Sequence, residues 1–181
     1  MKKLTLTVLA VSLLGRLALA QDAPAADVPI VDVAAAYSFF YVLKGFTLAM
    51  NGGSASVALN ANRWLGVVGD FGEYQATPGS GTGLTCETYT LGPRFSYRKQ
   101  ARLTPFAQVL LGGGHASAVS GGFTAKNAFA IGAGGGADLA IDRAGQFALR
   151  PQLDYFDFRA TGDNTNIVRL SVGLVFHIGK W

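Results

Sequence analysis

Residues 127–142 read NAFAIGAGGGADLAID, and the fold turns on whether this stretch is a strand or a strand-to-helix junction. Gly132-Ala133-Gly134-Gly135-Gly136-Ala137 satisfies G-x-G-x-x-A, the pattern of a dinucleotide-binding turn, and Asp138 and Asp142 follow as acids that would hold a ribose. That pattern has meaning only where a strand feeds a helix. The odd positions carry Asn127, Phe129, Ile131, Ala133, Gly135, Ala137, Leu139 and Ile141, mostly large and apolar, whereas the even ones carry Ala128, Ala130, Gly132, Gly134, Gly136, Asp138 and Ala140. A helix would mix these sets; a period of two separates them. The stretch is a strand, and its glycines open no phosphate-binding helix. Gly132, Gly134 and Gly136 are expected to point inward, leaving room for arginines of neighbouring strands, with Asp138 as an internal charge partner.

The same separation recurs along the chain. Val168, Leu170, Val172, Leu174, Phe176 and Ile178 form an apolar row opposite Arg169, Ser171, Gly173, Val175 and His177. Phe147, Leu149, Leu153 and Tyr155 oppose Arg150, Gln152 and Asp154, and Tyr89, Leu91, Phe95 and Tyr97 oppose Thr88, Thr90, Arg94, Ser96 and Arg98. Shorter alternations cover 55–62 and 64–73, and less clean ones 33–41 and 104–116. Eight segments of about ten residues suit tilted strands crossing a bilayer. Tight turns near 61–63, 99–103 and 142–146 alternate with longer Gly/Ser/Thr/Asn-rich loops near 42–54, 75–86, 117–126 and 159–166. Tyr37, Phe39, Tyr41, Tyr74, Tyr89, Phe129, Tyr155 and Phe158 fall toward the loop ends. Trp64, Phe95, Tyr97, Phe147, Phe176 and Trp181 fall toward the turn ends, which makes two girdles. A soluble β-sandwich would share the periodicity, but charges on the polar face of nearly every strand from the third onward favour a barrel lumen.

Composition agrees. Lys2-Lys3, the apolar run Leu4–Gly15 and Ala18-Leu19-Ala20 before Gln21 have the layout of a signal peptide over 1–20. Without Lys2, Lys3 and Arg16, the 15 Lys+Arg fall to 12 against 11 acids, a mature net charge near +1. The basic balance therefore belongs to the leader, and nucleic-acid binding loses its support. Cys86 is the single cysteine, so no disulfide forms within the chain, and it is expected as a free thiol in a loop. No apolar run of about 20 residues remains for a transmembrane helix.

Leu91-Gly92-Pro93-Arg94-Phe95-Ser96-Tyr97, Pro105-Phe106-Ala107-Gln108 with Gly112-Gly113, and Arg169–Phe176 resemble the bacterial outer-membrane β-barrel domain family, the small eight-stranded barrels similar to the OmpA transmembrane domain. The resemblance covers nearly the whole mature chain and rests on alternation with a few fixed glycines. It implies an all-β, eight-stranded antiparallel up-and-down transmembrane barrel over 32–181, after a flexible periplasmic lead over 21–31. It also implies an outer-membrane location, contact with outer-membrane lipid and passage through the barrel-assembly machinery. No peptidoglycan-binding domain is expected after Trp181. Trp181 is out of phase with Phe176 and Ile178, so an assembly signal would end a few residues earlier.

The inward set holds Asp70, Asp138 and Asp154 with Arg94, Arg98, Arg150 and Arg169. Charges in so narrow a lumen must pair, so the preferred reading is a structural ion-pair network filling it. The alternative is a narrow pore, in which pairs exchange partners and admit ions or very small solutes. Some barrels of this kind modify lipids, which directs attention to His115 near Ser117 and Ser120. His177 lies at the opposite end, however, and no carboxylate stands clearly on the face of His115 unless loops bring Glu73 or Glu87 over it. Two distant histidines and one cysteine make no metal set. No catalytic, cofactor-binding or metal residue is therefore expected, and the function is read as structural or surface-interacting. Phe46 and Phe123 are the candidate loop contacts for an extracellular ligand.

Overall fold

Eight strands, β1 (Val31–Val42), β2 (Leu48–Asn60), β3 (Leu65–Ala76), β4 (Leu84–Ser96), β5 (Leu103–Ala118), β6 (Lys126–Ala140), β7 (Phe147–Ala160) and β8 (Asp163–Ile178), close in chain order into an antiparallel barrel. The computed structural model describes residues 28–43, 48–76, 83–100, 102–118, 126–160 and 163–180. Partners traced from Val33 run through Val57, Gly69, Leu91, Leu111, Ile131, Asp157 and Asn166. The circuit returns to β1 at Leu43, ten residues further along (33 to 43). Strand number and this stagger together set tilt and width, and eight strands enclose a lumen that side chains just fill.

Pairing lengthens the strands beyond their alternation. β2 begins at Leu48 rather than near 55, because Asn51-Gly52-Gly53-Ser54 pairs with Phe39–Ala36 on one side and Gln75–Gly72 on the other. β8 likewise begins at Asp163. Composition marks both stretches as loop, and long-range pairing overrides that weak preference. Cys86 is likewise not in a loop: it lies in β4, half-buried against the inner core.

The outward face is a membrane surface. Leu59, Leu91, Leu153 and Leu174 are each more than half exposed although large and apolar. A closed barrel satisfies every ladder hydrogen bond internally, so such a band is stable only against hydrocarbon. Tyr37, Tyr89, Phe129 and Tyr155 stand exposed toward the loops, and Trp64, Phe95, Tyr97 and Phe147 toward the turns. Tyr74 and Phe158 are not part of the outer girdle: both are buried inside, on the same parity as Asp70 and Asp154.

Aromatic rings cover inward glycines, from the neighbouring strand for Phe156 and Phe106 and from two strands away for Phe158. Phe156 lies over Gly132, Phe158 over Gly114 and Phe106 over Gly136, while Asp154 takes the space beside Gly134. The room in GAGGGAD is therefore occupied by Phe156, Asp154 and Phe106, and not directly by arginines. Rings over glycines also hold register in curved sheets.

The inner core divides into two zones. Toward the loops, Phe40, Met50, Tyr74, Leu110, Ala130, Phe156, Phe158 and Ile167 form one apolar cluster, joined by half-buried Leu84 and Cys86. Toward the turns the interior is mainly charged, with Ala58 and Val68 of the same cluster and a small apolar set, Ala34, Ala148 and Val175, among the charges. The turn end is bounded by residues 28–30, which are held rather than loose. Ile30 N donates to Ile178 O, Ile30 O accepts from Asn60 N, and Pro29 O accepts from Asn60 Nδ2.

In the β6–β7 turn, the Asp142 carboxylate accepts from Phe147 N (2.9 Å) and Gln146 N (3.1 Å). The Phe147 bond leads in holding its pKa below the ordinary carboxylate value. A depressed folded pKa stabilises above the unfolded pKa and is lost as pH falls through the folded one. Asp142→Asn is therefore expected to lower the urea midpoint at pH 7 and to reduce its fall between pH 7 and about 3. An unchanged acid limb in the variant would contradict this role.

Candidate functional site

The charged interior is built in three tiers from the turn end upward. In the lowest, Asp32 Oδ1 and His177 Nδ1 share a 2.7 Å hydrogen bond, and Asn60 Nδ2 donates to Asp32 Oδ2 at 3.0 Å. Arg98 donates to Asn60 Oδ1 and to the Arg63 carbonyl, 3.5 Å from Asp32. Asp32, Asn60 and His177 complete this tier, and Asp32 adds a first-strand carboxylate to the inward charges expected from the third strand onward. The signal was present: Asp32 shares parity with the inward Ala34, Ser38 and Phe40.

In the middle tier Arg150 grips Asp138 with two parallel hydrogen bonds, Nη2 to Oδ2 at 2.8 Å and Nε to Oδ1. Arg94 meets no carboxylate. Its Nε and Nη2 both donate to Gln108 Oε1, at 3.0 and 2.9 Å. The Phe106 ring lies against both cations, 4.5 Å from the Arg94 guanidinium and 4.9 Å from that of Arg150. Gln108 Nε2 then donates to Asp154 Oδ1 at 3.0 Å, linking Arg94 to the tier above. Gln108 shares a face with no charge in its own strand, which is why alternation alone left it out.

The upper tier centres on Arg169. Its Nη1 donates to Asp70 Oδ1 at 2.6 Å and to the Tyr74 hydroxyl at 3.0 Å, while Nε and Nη2 both reach Asp154 Oδ2. Asp70 and Arg169 sit on β3 and β8, so this contact spans the lumen. Gln152 also donates to Asp154, and Ser38 bonds Ser54 and Ser171 along the adjoining wall.

All seven residues of the inward set, Asp70, Arg94, Arg98, Asp138, Arg150, Asp154 and Arg169, are thus buried in one lumen. Among the described residues, the buried aspartates and arginines number four each, so the enclosed charge balances in number although Arg94 is paired with an amide. Balance matters because each uncompensated charge in so enclosed a space costs several kcal/mol, of order 3–5. Buried side-chain atoms with no protein partner, among the described residues, are Thr88 Oγ1, Thr90 Oγ1 and Arg94 Nη1, all on the inner wall of β4. Opposite them is a void of about 10 Å³, bounded by Ser54, Ser56, Asp70, Arg150, Gln152 and Ser171, about enough for one water.

His115 stands apart on the outer face. Its Nδ1 shares a 2.7 Å hydrogen bond with Asn127 Oδ1. Glu87 is its direct cross-strand partner, so a carboxylate does share its face, contrary to the sequence expectation, and no loop rearrangement is needed. Alternation within a strand says nothing of register between strands, and only the pairing of β4 with β5 brings Glu87 and His115 together. Phe46 and Phe123 lie outside the described residues.

A closed eight-stranded antiparallel barrel with an apolar exterior and a charge-lined interior is a small transmembrane β-barrel of the outer-membrane type. No family model and no curated protein matches the chain by sequence. Solved structures do match its fold. Neisserial surface protein A superposes with a TM-score of 0.67 at 17% identity, covering 82% of this chain and 96% of that one. Ail, the attachment invasion locus protein of Yersinia pestis, gives 0.60 at 19% identity over 81% and 96%. The N-terminal β-barrel domain of Pseudomonas aeruginosa OprF gives 0.56 at 14% identity over 80% and 97%. Ail has also been solved in complex with the heparin analogue sucrose octasulfate. At these identities the likeness is one of fold.

Proposed function

We propose that the chain is exported by its leader to the outer membrane, where it serves as a closed barrel with a structural or surface-interacting role, without enzymatic chemistry. The observation that supports this reading is the charge-balanced, hydrogen-bonded set of ion pairs buried inside the barrel. Each carboxylate there already holds a cation or an amide, so none is free to escort a passing solute. On the outside, His115 bonds an asparagine rather than a nucleophile, which favours a structural role for it. Phe46 and Phe123, in the connections after β1 and β5, are the residues a surface ligand would be expected to meet, as rigid scaffolds present binding residues between their strands. The complex of Ail with a sulfated sugar makes such ligands a reasonable first panel.

Reconstituted into a planar bilayer, the protein is expected to hold conductance at baseline. Steady single-channel steps from the unaltered chain would sink the closed-lumen reading and favour a narrow pore. Lipid extracts that change on overexpression, and revert with His115→Ala, would sink the non-enzymatic one.

A further inference from the structure

The ion pairs do not fill the lumen alone. Directly above them lies a layer with no charged member, to which all eight strands contribute an apolar side chain. Its centre is aromatic. The rings of Phe40 and Tyr74 stack at 4.2 Å between centroids, Phe158 meets Phe40 edge-on at 6.3 Å, and Phe156 lies 5.8 Å from Phe158. These rings come from β1, β3 and β7, so they meet across the lumen rather than along one wall. Phe40, Tyr74 and Phe158 each sit two residues from the loop end of their strands. The Tyr74 hydroxyl turns out of the layer to accept from Arg169, and Thr88, whose strand partner Gly114 lies against the Phe158 ring, is a buried polar side chain at the layer's edge.

The space beneath has the opposite character. Thr90 Oγ1 and Arg94 Nη1 are buried there without protein partners, and the small void at that level is walled by three serines, Asp70, Arg150 and Gln152. Polar groups of this kind are satisfied by water in a buried site. An apolar constriction, by contrast, excludes water and with it any hydrated ion.

We propose that this aromatic layer, and not the ion-pair network below it, is the permeability barrier of the barrel. The lumen is then blind: hydrated from the turn side and sealed dry beneath the loops. This rests on the reading of the lumen as closed. The ion pairs hold the wall in shape and keep the lower compartment neutral, while water stops at Phe40 and Phe158.

Planar-bilayer recordings of three chains test the assignment, with folding checked by heat-modifiable gel migration. The unaltered chain is expected to be silent. Phe40→Ala/Phe158→Ala is expected to give discrete conductance steps, and Arg169→Met/Asp70→Asn/Asp154→Asn, which removes the upper pairs without stranding a charge, none. Steps from the ion-pair variant, or silence from a folded ring variant, overturn the proposal. Conductance from the unaltered chain instead removes the closed-lumen reading. In that case, or if the ring variant does not fold, water-to-methyl cross-relaxation in the unaltered protein decides. Transfer is expected at the Thr90 methyl and none at Met50 or Ile167; water at either of those, or none at Thr90, overturns the proposal.

Discussion

Arg169→Met is expected to lower the stability of the folded barrel by about 3–5 kcal/mol, the usual cost of stranding buried charge. Arg169 is fully enclosed and holds two aspartates at once, Asp70 at 2.6 Å and Asp154 at 2.8 Å. Methionine matches much of its length but answers neither charge, and it releases the Tyr74 hydroxyl as well. Removing one partner of a buried network costs far more than removing the network whole. Arg169→Met/Asp70→Asn/Asp154→Asn should therefore recover much of the loss. Urea titration of the reconstituted barrel, followed by gel migration without boiling, measures both. A single variant within about 0.5 kcal/mol of the parent, the range of an ordinary surface change, would show that the hub contributes little to stability.

Gly134→Val is expected to have an effect of similar size, more than about 4 kcal/mol or outright failure to fold, because it combines overpacking with a lost charge pair. A Cβ on Gly134 would overlap Asp154 Oδ1 and crowd the backbone of Leu153. Asp154 could yield only by leaving Arg169, Gln108 and Gln152 together. Gly53→Val is the matched control. It lies within a strand too, but nothing stands within 4 Å of its Cβ position. There the substitution should change stability by no more than about 0.5 kcal/mol. Equal losses from both variants would mean that glycine acts through strand propensity and not through the space it leaves.

Much of this architecture is legible before any coordinates. Period-two alternation is a local property, and it separates Asp138 and the glycines of 127–142 from Phe129, Ile131 and Leu139 without reference to other strands. The same parity places Arg94, Arg150, Asp154 and Arg169 inside. It also places Tyr74 and Phe158 inside, although their position near the strand ends suits an outer girdle. Asp32 is harder to place, since β1 carries apolar residues on both faces and its alternation is faint.

Partnership is not legible in this way. Parity says that Arg169 points inward, but Asp70 lies 99 positions away in the chain and reaches it across the lumen. Nor does parity show that Arg94 would find Gln108 while Asp154 served two donors, or that Glu87 would face His115. Such contacts depend on the ten-residue stagger of the closed barrel, which no single strand encodes. The chain by itself determined which face of each strand meets lipid and which meets the lumen, because side chains alternate with a period of two and water tolerates no such apolar row. Only the tertiary structure decided who meets whom inside, and that the aromatic layer lies above the charges, because register and stagger arise when eight strands close on one another.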